Sequence, residues 1–439
     1  MTNAPPRLHT RLAGTARLAA SLVVERRFAF RARASILRAQ SRRVRAIVEH
    51  AFRTVPYYRE TMRRRGLAPG DFRTADDLAR LPEIGRADLH RDPERFRSSV
   101  HDVRDLLELH SSGRTGEPVS VWHDLESVIA NAAHGERDRS IWAGSLVPRT
   151  GYREAVLGLV DGSDASVQRF LRRGVWLPER GDIERIYLSG LDSLDATLAA
   201  LNAFRPQVLH GYGSMLAALF AHVRTHGAPF ARPAVVTFSS DEFEPDARAL
   251  VEREFGLPVF ATYEAIEAFK IGFECGAAPG YHLNVDLYPL RIDGSGEVIV
   301  SNLVNRATVL LNYRIGDRAV LAGEDCPCGR RLPRMTMLEG RRDGVIRRPD
   351  GSDVMPMSLA GVFALTPGIL RYQLEETAPL SVLARVVADP GCDRRATEAR
   401  LVSGLGSALG EGFRLRVQFV DRIEPAAGGK HLRIIAYAR

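Results

Sequence analysis

Lysine is almost missing from this chain. Of 61 basic residues only Lys270 and Lys430 are lysine, so each retained ammonium marks a place where a compact point charge suits better than the planar fork of arginine. Cysteine is scarce too: Cys275, Cys326, Cys328 and Cys392 are too few to frame a disulfide scaffold in 439 residues. No apolar run reaches the ~18 residues that a membrane-spanning helix needs. The short stretch 18–24 has charged flanks and does not read as a secretory h-region, so the cytoplasm is the expected location. Acidic residues are missing from one end only. Residues 1–65 hold sixteen arginines against Glu25, Glu49 and Glu60, so the net +8 is local and the remainder is slightly acidic.

What is present suits a soluble enzyme of two or three domains, with 45% hydrophobic residues. The basic N-terminal part reads either as an arm for nucleic acid or anionic lipid or as amphipathic helices with arginine polar faces. Ile36, Leu37, Val44, Ile47, Val48 and Phe52 recur at helical spacing and favour the helices.

The most informative stretch is 110–118, HSSGRTGEP. Ser111, Ser112 and Thr115 supply hydroxyls, and Gly113 and Gly116 let backbone N–H groups approach an anion, with Arg114 between them. It is not a Walker A loop, because no Gly-Lys-Ser/Thr is present and an alternating strand pattern follows rather than a helix. Taken alone, it reads first as an ordinary hairpin turn, and its company along the chain decides the matter.

Downstream the pattern alternates strand and helix, the mark of a parallel α/β sheet. A helix is expected over 124–139, strands over 155–160 and 185–188, and strand, turn and helix over 207–216. Strands at 234–243 and 257–262 flank a helix at 246–255. Residues 296–303 and 307–313 read as an alternating β pair. Gly211 and Gly213 lack the third glycine of a dinucleotide fingerprint, Leu216 standing in its place. A small α+β pattern closes the chain. The expected domains are a helical cap over 1–100, a core over 101–340 and a small lid over 341–439.

Four further runs follow in order: 262–267 (TYEAIE), 313–317 (YRIGD), 340–343 (GRRD) and 428–430 (GGK). With the loop at 111–116, this series resembles the adenylate-forming (acyl-CoA synthetase) superfamily, and within it the phenylacetate-CoA ligase-like, capsule-biosynthesis-type branch, from about Arg59 onward. The resemblance implies a large domain of parallel and mixed sheets flanked by helices with a β-barrel-like part, and a small mobile α+β C-terminal domain. It implies ATP-dependent activation of a carboxylate as its acyl-adenylate, then thioester formation with CoA, on an aryl or arylacetic acid. An amine or a carrier-protein thiol is the alternative acceptor. A zinc-stabilised, non-catalytic binding module with a basic arm is the reading from another class.

By the same resemblance, residues 111–116 hold the β- and γ-phosphates, Tyr263 stacks on adenine with Glu264 beside it, and Glu267 ligates Mg²⁺. Asp317 takes the ribose hydroxyls, with Arg314 nearby. Asp343 is the hinge, Arg341 faces the nucleotide, and Lys430 reaches the α-phosphate and the acid. Glu264 departs from the family, which has glycine there, and Arg114 stands where a small hydroxyl residue is usual. Cys275, His282, Cys326 and Cys328 offer a closed tetrahedral set for structural Zn²⁺ or are simply buried thiols and an imidazole; zinc-bearing members of the branch show a similar order. Expected partners are ATP, the acid, and CoA or a carrier protein, with a homodimer in view and neither nucleic acid nor membrane.

Overall fold

The computed structural model describes residues 8–110, 119–146, 151–158, 162–176, 183–190, 192–241, 243–322, 325–339, 346–349, 353–354, 359, 362–363, 366–424 and 434–437. The N-terminal part is helical, with α1 (Leu8–Phe28), α2 (Arg33–Thr54), α3 (Pro56–Arg64) and α4 (Arg86–Arg91). Along α2, Ile36, Ala39, Gln40, Val44, Ile47, Val48 and Ala51 are buried, a stripe at three- and four-residue steps facing the core. Leu37, expected on that stripe, lies one helical step off it and is 43% exposed. The helices belong to the main core. Tyr58 donates its hydroxyl to the Val309 carbonyl and accepts the Leu311 N–H, at 3.2 and 2.8 Å.

Strands β1 (Leu107–His110) and β2 (Ser120–His123) pair as an antiparallel hairpin, and α5 (Leu125–Trp142) follows with Asp124 as its N-cap. Helix α1 packs along α5 through a buried ion cluster. Arg137, whose side chain is fully buried, donates to Glu25 of α1 and to both oxygens of Asp286, at 2.7 to 3.0 Å. Its guanidinium lies over the Phe28 ring. Burial opposes the charge on Asp286, but Arg137 and the neighbouring His134 outweigh it and hold the carboxyl well below the usual range.

The parallel half of the main sheet comprises β3 (Arg153–Gly158), β4 (Glu184–Ser189), β5 (Val208–Tyr212), β6 (Val235–Ser239) and β7 (Val259–Ala265). Helices α6 (Ser163–Gly174), α7 (Leu194–Phe204), α8 (Gly213–His226) and α9 (Pro245–Arg253) make the crossovers. Gly211 serves this packing, since a Cβ there would stand 2.8 Å from the Leu157 carbonyl oxygen on β3.

An antiparallel half continues the same sheet: β8 (Phe269–Glu274), β9 (Tyr281–Leu283), β10 (Leu290–Ile292), β11 (Glu297–Val300), β12 (Tyr313–Ala322) and β13 (Arg334–Glu339). The order is β10-β11-β12-β13-β9-β8-β7-β6-β5-β3-β4. The expected barrel-like part is therefore corrected: among the described residues this is one open eleven-stranded sheet with edges at β10 and β4. A second correction concerns 307–313. Strand β11 pairs with β10 and β12, whereas 301–312 is irregular because Asn302 turns the chain by accepting the N–H groups of Val304 and Asn305.

The C-terminal part holds the short pair β14 (Ile346–Arg347) and β15 (Asp353–Val354), then β16 (Ile369–Ala378), β17 (Ser381–Ala388), α10 (Arg394–Leu409), β18 (Arg414–Phe419) and β19 (Ile434–Ile435). Leu374, Val382, Ala384, Leu401 and Leu405 lie in a hydrophobic cluster of its own. Arg371 of β16 donates to the Ser214 carbonyl at the start of α8. The expected boundary at 341 lies outside the described residues. Among the described residues no helix is long and apolar enough to cross a membrane.

Candidate functional site

The strands on either side of residues 111–118 are in register, Leu107 opposite His123 and His110 opposite Ser120. His110 and the Ser120 hydroxyl meet at 3.0 Å at its base. Ser111, Ser112, Gly113, Arg114, Thr115 and Gly116 themselves lie outside the described residues, as do Arg341, Asp343 and Lys430.

His123 ties the hairpin to the turn between β7 and β8. Its Nε2 lies 2.8 Å from the Ile266 carbonyl, and Asn305 donates to Nδ1, which together fix the proton on Nε2. Burial pushes this imidazole down to about 4. The turn itself is strained at Phe269, a non-glycine residue at φ 53°.

That turn carries Glu267. The carboxylate is buried, with Oε1 accepting the Tyr313 hydroxyl at 2.9 Å, and Asn302 donates to its backbone carbonyl. A matching pair stands alongside, with the Tyr263 hydroxyl donating to Asp317 Oδ2 at 2.7 Å. The sheet thus curls until β12 reaches across to β7, bringing Tyr263, Glu267, Tyr313 and Asp317 together, each less than 10% exposed. These are hard oxygen donors and aromatic faces, suited to a nucleotide and its divalent cation.

Two of the expected residues engage other partners. Arg314 alternates away from Tyr313 and Asp317 along β12, and its guanidinium is taken by Glu83, Asp293 and Glu297. Glu264, expected beside the adenine, lies 3.9 Å from Lys270 of β8. Lys270 is in turn 3.2 Å from Asp138 Oδ2. Sequence reasoning noticed Lys270 only for its rarity and missed Asp138 altogether, because their pairing crosses from β8 to α5. A small open hollow lies at the carboxyl ends of β3 and β5, with Gly158, Asp164, His210 and Tyr212 on its wall.

Cys275, His282, Cys326 and Cys328 converge, with all four ligand atoms within 4.8 Å of one another. Cys275 and Cys326 sulfurs are 3.5 Å apart, and Cys328 Sγ is 3.3 Å from His282 Nε2. A tetrahedral ion with metal–sulfur bonds of about 2.3 Å spaces its donors roughly 3.5–3.8 Å apart, so the set fits such an ion with little adjustment. His282 Nδ1 faces the Leu332 carbonyl at 3.3 Å, which leaves Nε2 to the cluster. Burial pushes the Cys326 thiol up to about 11, a penalty that a bound cation reverses. Cys392 stands apart, beside the Thr397 hydroxyl.

No family model matches the chain. The phenylacetate-coenzyme A ligase of Thermus thermophilus is 25% identical over 361 residues, 76% of this chain and 77% of the relative. Protein CapK of Staphylococcus aureus is 18% identical over 413 residues, 89% and 87% of the two chains. Among solved structures, 2-hydroxyisobutyryl-CoA ligase in the postadenylation state with 2-HIB-AMP superposes with a TM-score of 0.73 at 16% identity, covering 92% of this chain and 90% of that one. The same enzyme in the thioesterification state, with equal coverage and identity, gives 0.60.

Proposed function

We propose that this chain, a member of the adenylate-forming superfamily in its phenylacetate-CoA ligase-like branch, joins a carboxylic acid to coenzyme A through an acyl-adenylate. A carboxylate oxygen attacks the α-phosphorus of ATP, and the bond to the β-phosphate breaks to release pyrophosphate. The CoA sulfur then attacks the acyl carbon and AMP departs. Both steps bring negative groups together, so catalysis rests on positioning and on fixed positive charge.

The observation that carries this reading is the double tyrosine–carboxylate pairing, Tyr263 with Asp317 and Tyr313 with Glu267, at the carboxyl side of an open α/β sheet. Asp317 would take the ribose hydroxyls and Tyr263 the adenine face. Glu267 would hold Mg²⁺, which supplies charge neutralisation at the phosphates. Residues 111–116 would cradle the phosphates, Arg341 would face the nucleotide, and Lys430 would bridge the α-phosphate and the acid. The three-part division at 100 and 340, with rotation about Asp343 between the half-reactions, belongs to the same proposal. The resemblance makes an aryl or arylacetic acid the first to assay. Zinc is the ion we assign to the Cys275–His282–Cys326–Cys328 set, in a structural role because no ligand position is left open.

The test is acid-dependent ATP–pyrophosphate exchange. Lys430→Ala should lower it at least a hundredfold with an unchanged circular dichroism spectrum; full exchange in that variant overturns the assignment. Thioester detected on adding CoA separates the ligase from an enzyme that acylates an amine or a carrier protein.

A further inference from the structure

Helix α1 departs from the pattern of α2. On α2 the apolar stripe faces the core, whereas on α1 apolar residues face both ways. Its inner side is fixed by the buried Gly14, Leu18, Glu25 and Phe28, and Gly14 sits so close to α6 that a Cβ there would stand 2.4 Å from the Gly174 carbonyl oxygen. With about 100° of turn per residue, Leu12, Ala16, Ala19 and Val23 share a stripe roughly 60° wide on the opposite side. All four are exposed, Leu12 at 53% and Val23 at 77%. Trp176, 61% exposed, is seated at the flank of this stripe, because its backbone N–H donates to Thr15 Oγ1 at 2.7 Å. A helix that is apolar on every side is normally covered on every side, and a contiguous exposed apolar surface marks an interaction site.

The charge at one end of this face says what covers it. Residues 26–45 hold eight arginines and no acidic residue, and among the described residues only Arg43 of these enters an ion pair. Arg26, Arg27 and Arg33, at the turn from α1 into α2, are exposed. Glu25, the one acidic residue of α1, is turned inward to Arg137. A second copy of the chain would therefore find no acid on α1 to match these arginines. Nucleic acid would meet the arginines but leave the aliphatic stripe without a partner. An anionic bilayer satisfies both, since its phosphates face the guanidinium groups and its acyl boundary takes the apolar side chains.

We propose that the outward face of α1, with Trp176 beside it and Arg26, Arg27 and Arg33 at its end, docks this protein onto an anionic lipid surface, the helix lying flat in the interface. Leu12, Val23 and Trp176 enter the headgroup boundary and the arginines hold lipid phosphates. No spanning segment is needed for this mode of attachment, and among the described residues none is present. The proposal goes beyond the adenylation reading and does not depend on it.

The test is flotation of the full chain with vesicles of phosphatidylcholine, with and without about 30% phosphatidylglycerol. Binding to the anionic vesicles should exceed binding to the neutral ones at least about tenfold, and the difference should shrink in about 0.5 M sodium chloride. Tryptophan emission should shift to the blue on binding, because Trp122 and Trp142 are buried and Trp176 is the exposed one of the three; Trp176→Phe should remove the shift. Val23→Glu, and separately Arg26→Glu with Arg27→Glu, should each lower binding about fivefold or more at an unchanged melting temperature. Should Val23→Glu fold poorly, Leu12→Glu should give the same loss. The proposal is overturned if anionic vesicles are not bound, or if binding survives these substitutions. It is overturned equally by a dimer in sedimentation that the same substitutions dissociate, or by duplex DNA that displaces the vesicles. Pyrophosphate exchange is read in none of these arms, so the adenylation reading stands or falls separately.

Discussion

His123 shows how one buried side chain links the hairpin to the candidate site and sets a pH limit on the fold. Its imidazole is held near 4 by burial, against about 6.5 in an unfolded chain. Above pH 6.5 neither state carries the proton and the contribution is complete. Between about 6.5 and 4 the unfolded chain binds a proton that the folded one refuses, so this residue alone costs about 1.4 kcal/mol of stability per pH unit. Urea unfolding at pH 7 and pH 5 should show this slope, and the difference between wild type and His123→Gln should isolate it; parallel curves would refute it. At this scale the sequence was informative where chemistry is local. Tyr263, Glu267 and Asp317 announced themselves by motif. The partners of Arg314, namely Glu83, Asp293 and Glu297, were not legible, because a run of neighbouring letters hides the alternation of a strand. His123 carried no signal, since its partners Ile266 and Asn305 are more than 140 positions away.

At the scale of elements, the cysteine–histidine set ties the end of β8 and the neighbouring strand β9 to the segment after β12, which Cys326 and Cys328 bring in from more than forty residues further along the chain. With zinc in place these pieces are cross-linked; without it, three sulfurs crowd together around an imidazole. Chelation by a strong zinc ligand should therefore lower the melting temperature by several degrees and release one equivalent of zinc per chain. Cys328→Ser should reduce both the metal content and the effect of the chelator, and a purified protein that carries no metal and ignores chelators would exclude the site. The order of these four residues was readable beforehand, and so were the parallel strands and their helices, because βαβ units repeat one pattern. The pairing of β11 with β12 was not, because Asn302 replaces a strand ladder with side-chain hydrogen bonds that a period-two reading takes for β structure.

At the scale of the whole molecule, the chain shares the fold of 2-hydroxyisobutyryl-CoA ligase over 92% of its length. The arginine-rich beginning packs into the body rather than forming a free arm, and Arg137 is the pin. Replacing it by methionine leaves Glu25 buried without a guanidinium and Asp286 with only Arg43 and His134 beside it, and should cost about 3–5 kcal/mol, seen as a lower urea midpoint with an unchanged slope; a loss below about 1 kcal/mol would show the cluster to be dispensable.

Arg137 and Asp138 are consecutive on α5, one gripping the first helix and the other facing the triad of charges. Editing the far N-terminus is therefore never a remote change in this molecule. Shortening the first thirty residues, or fusing a bulky tag that pries them loose, would take Glu25 from Arg137 and so loosen α5 along the turn that also holds Asp138 against Lys270.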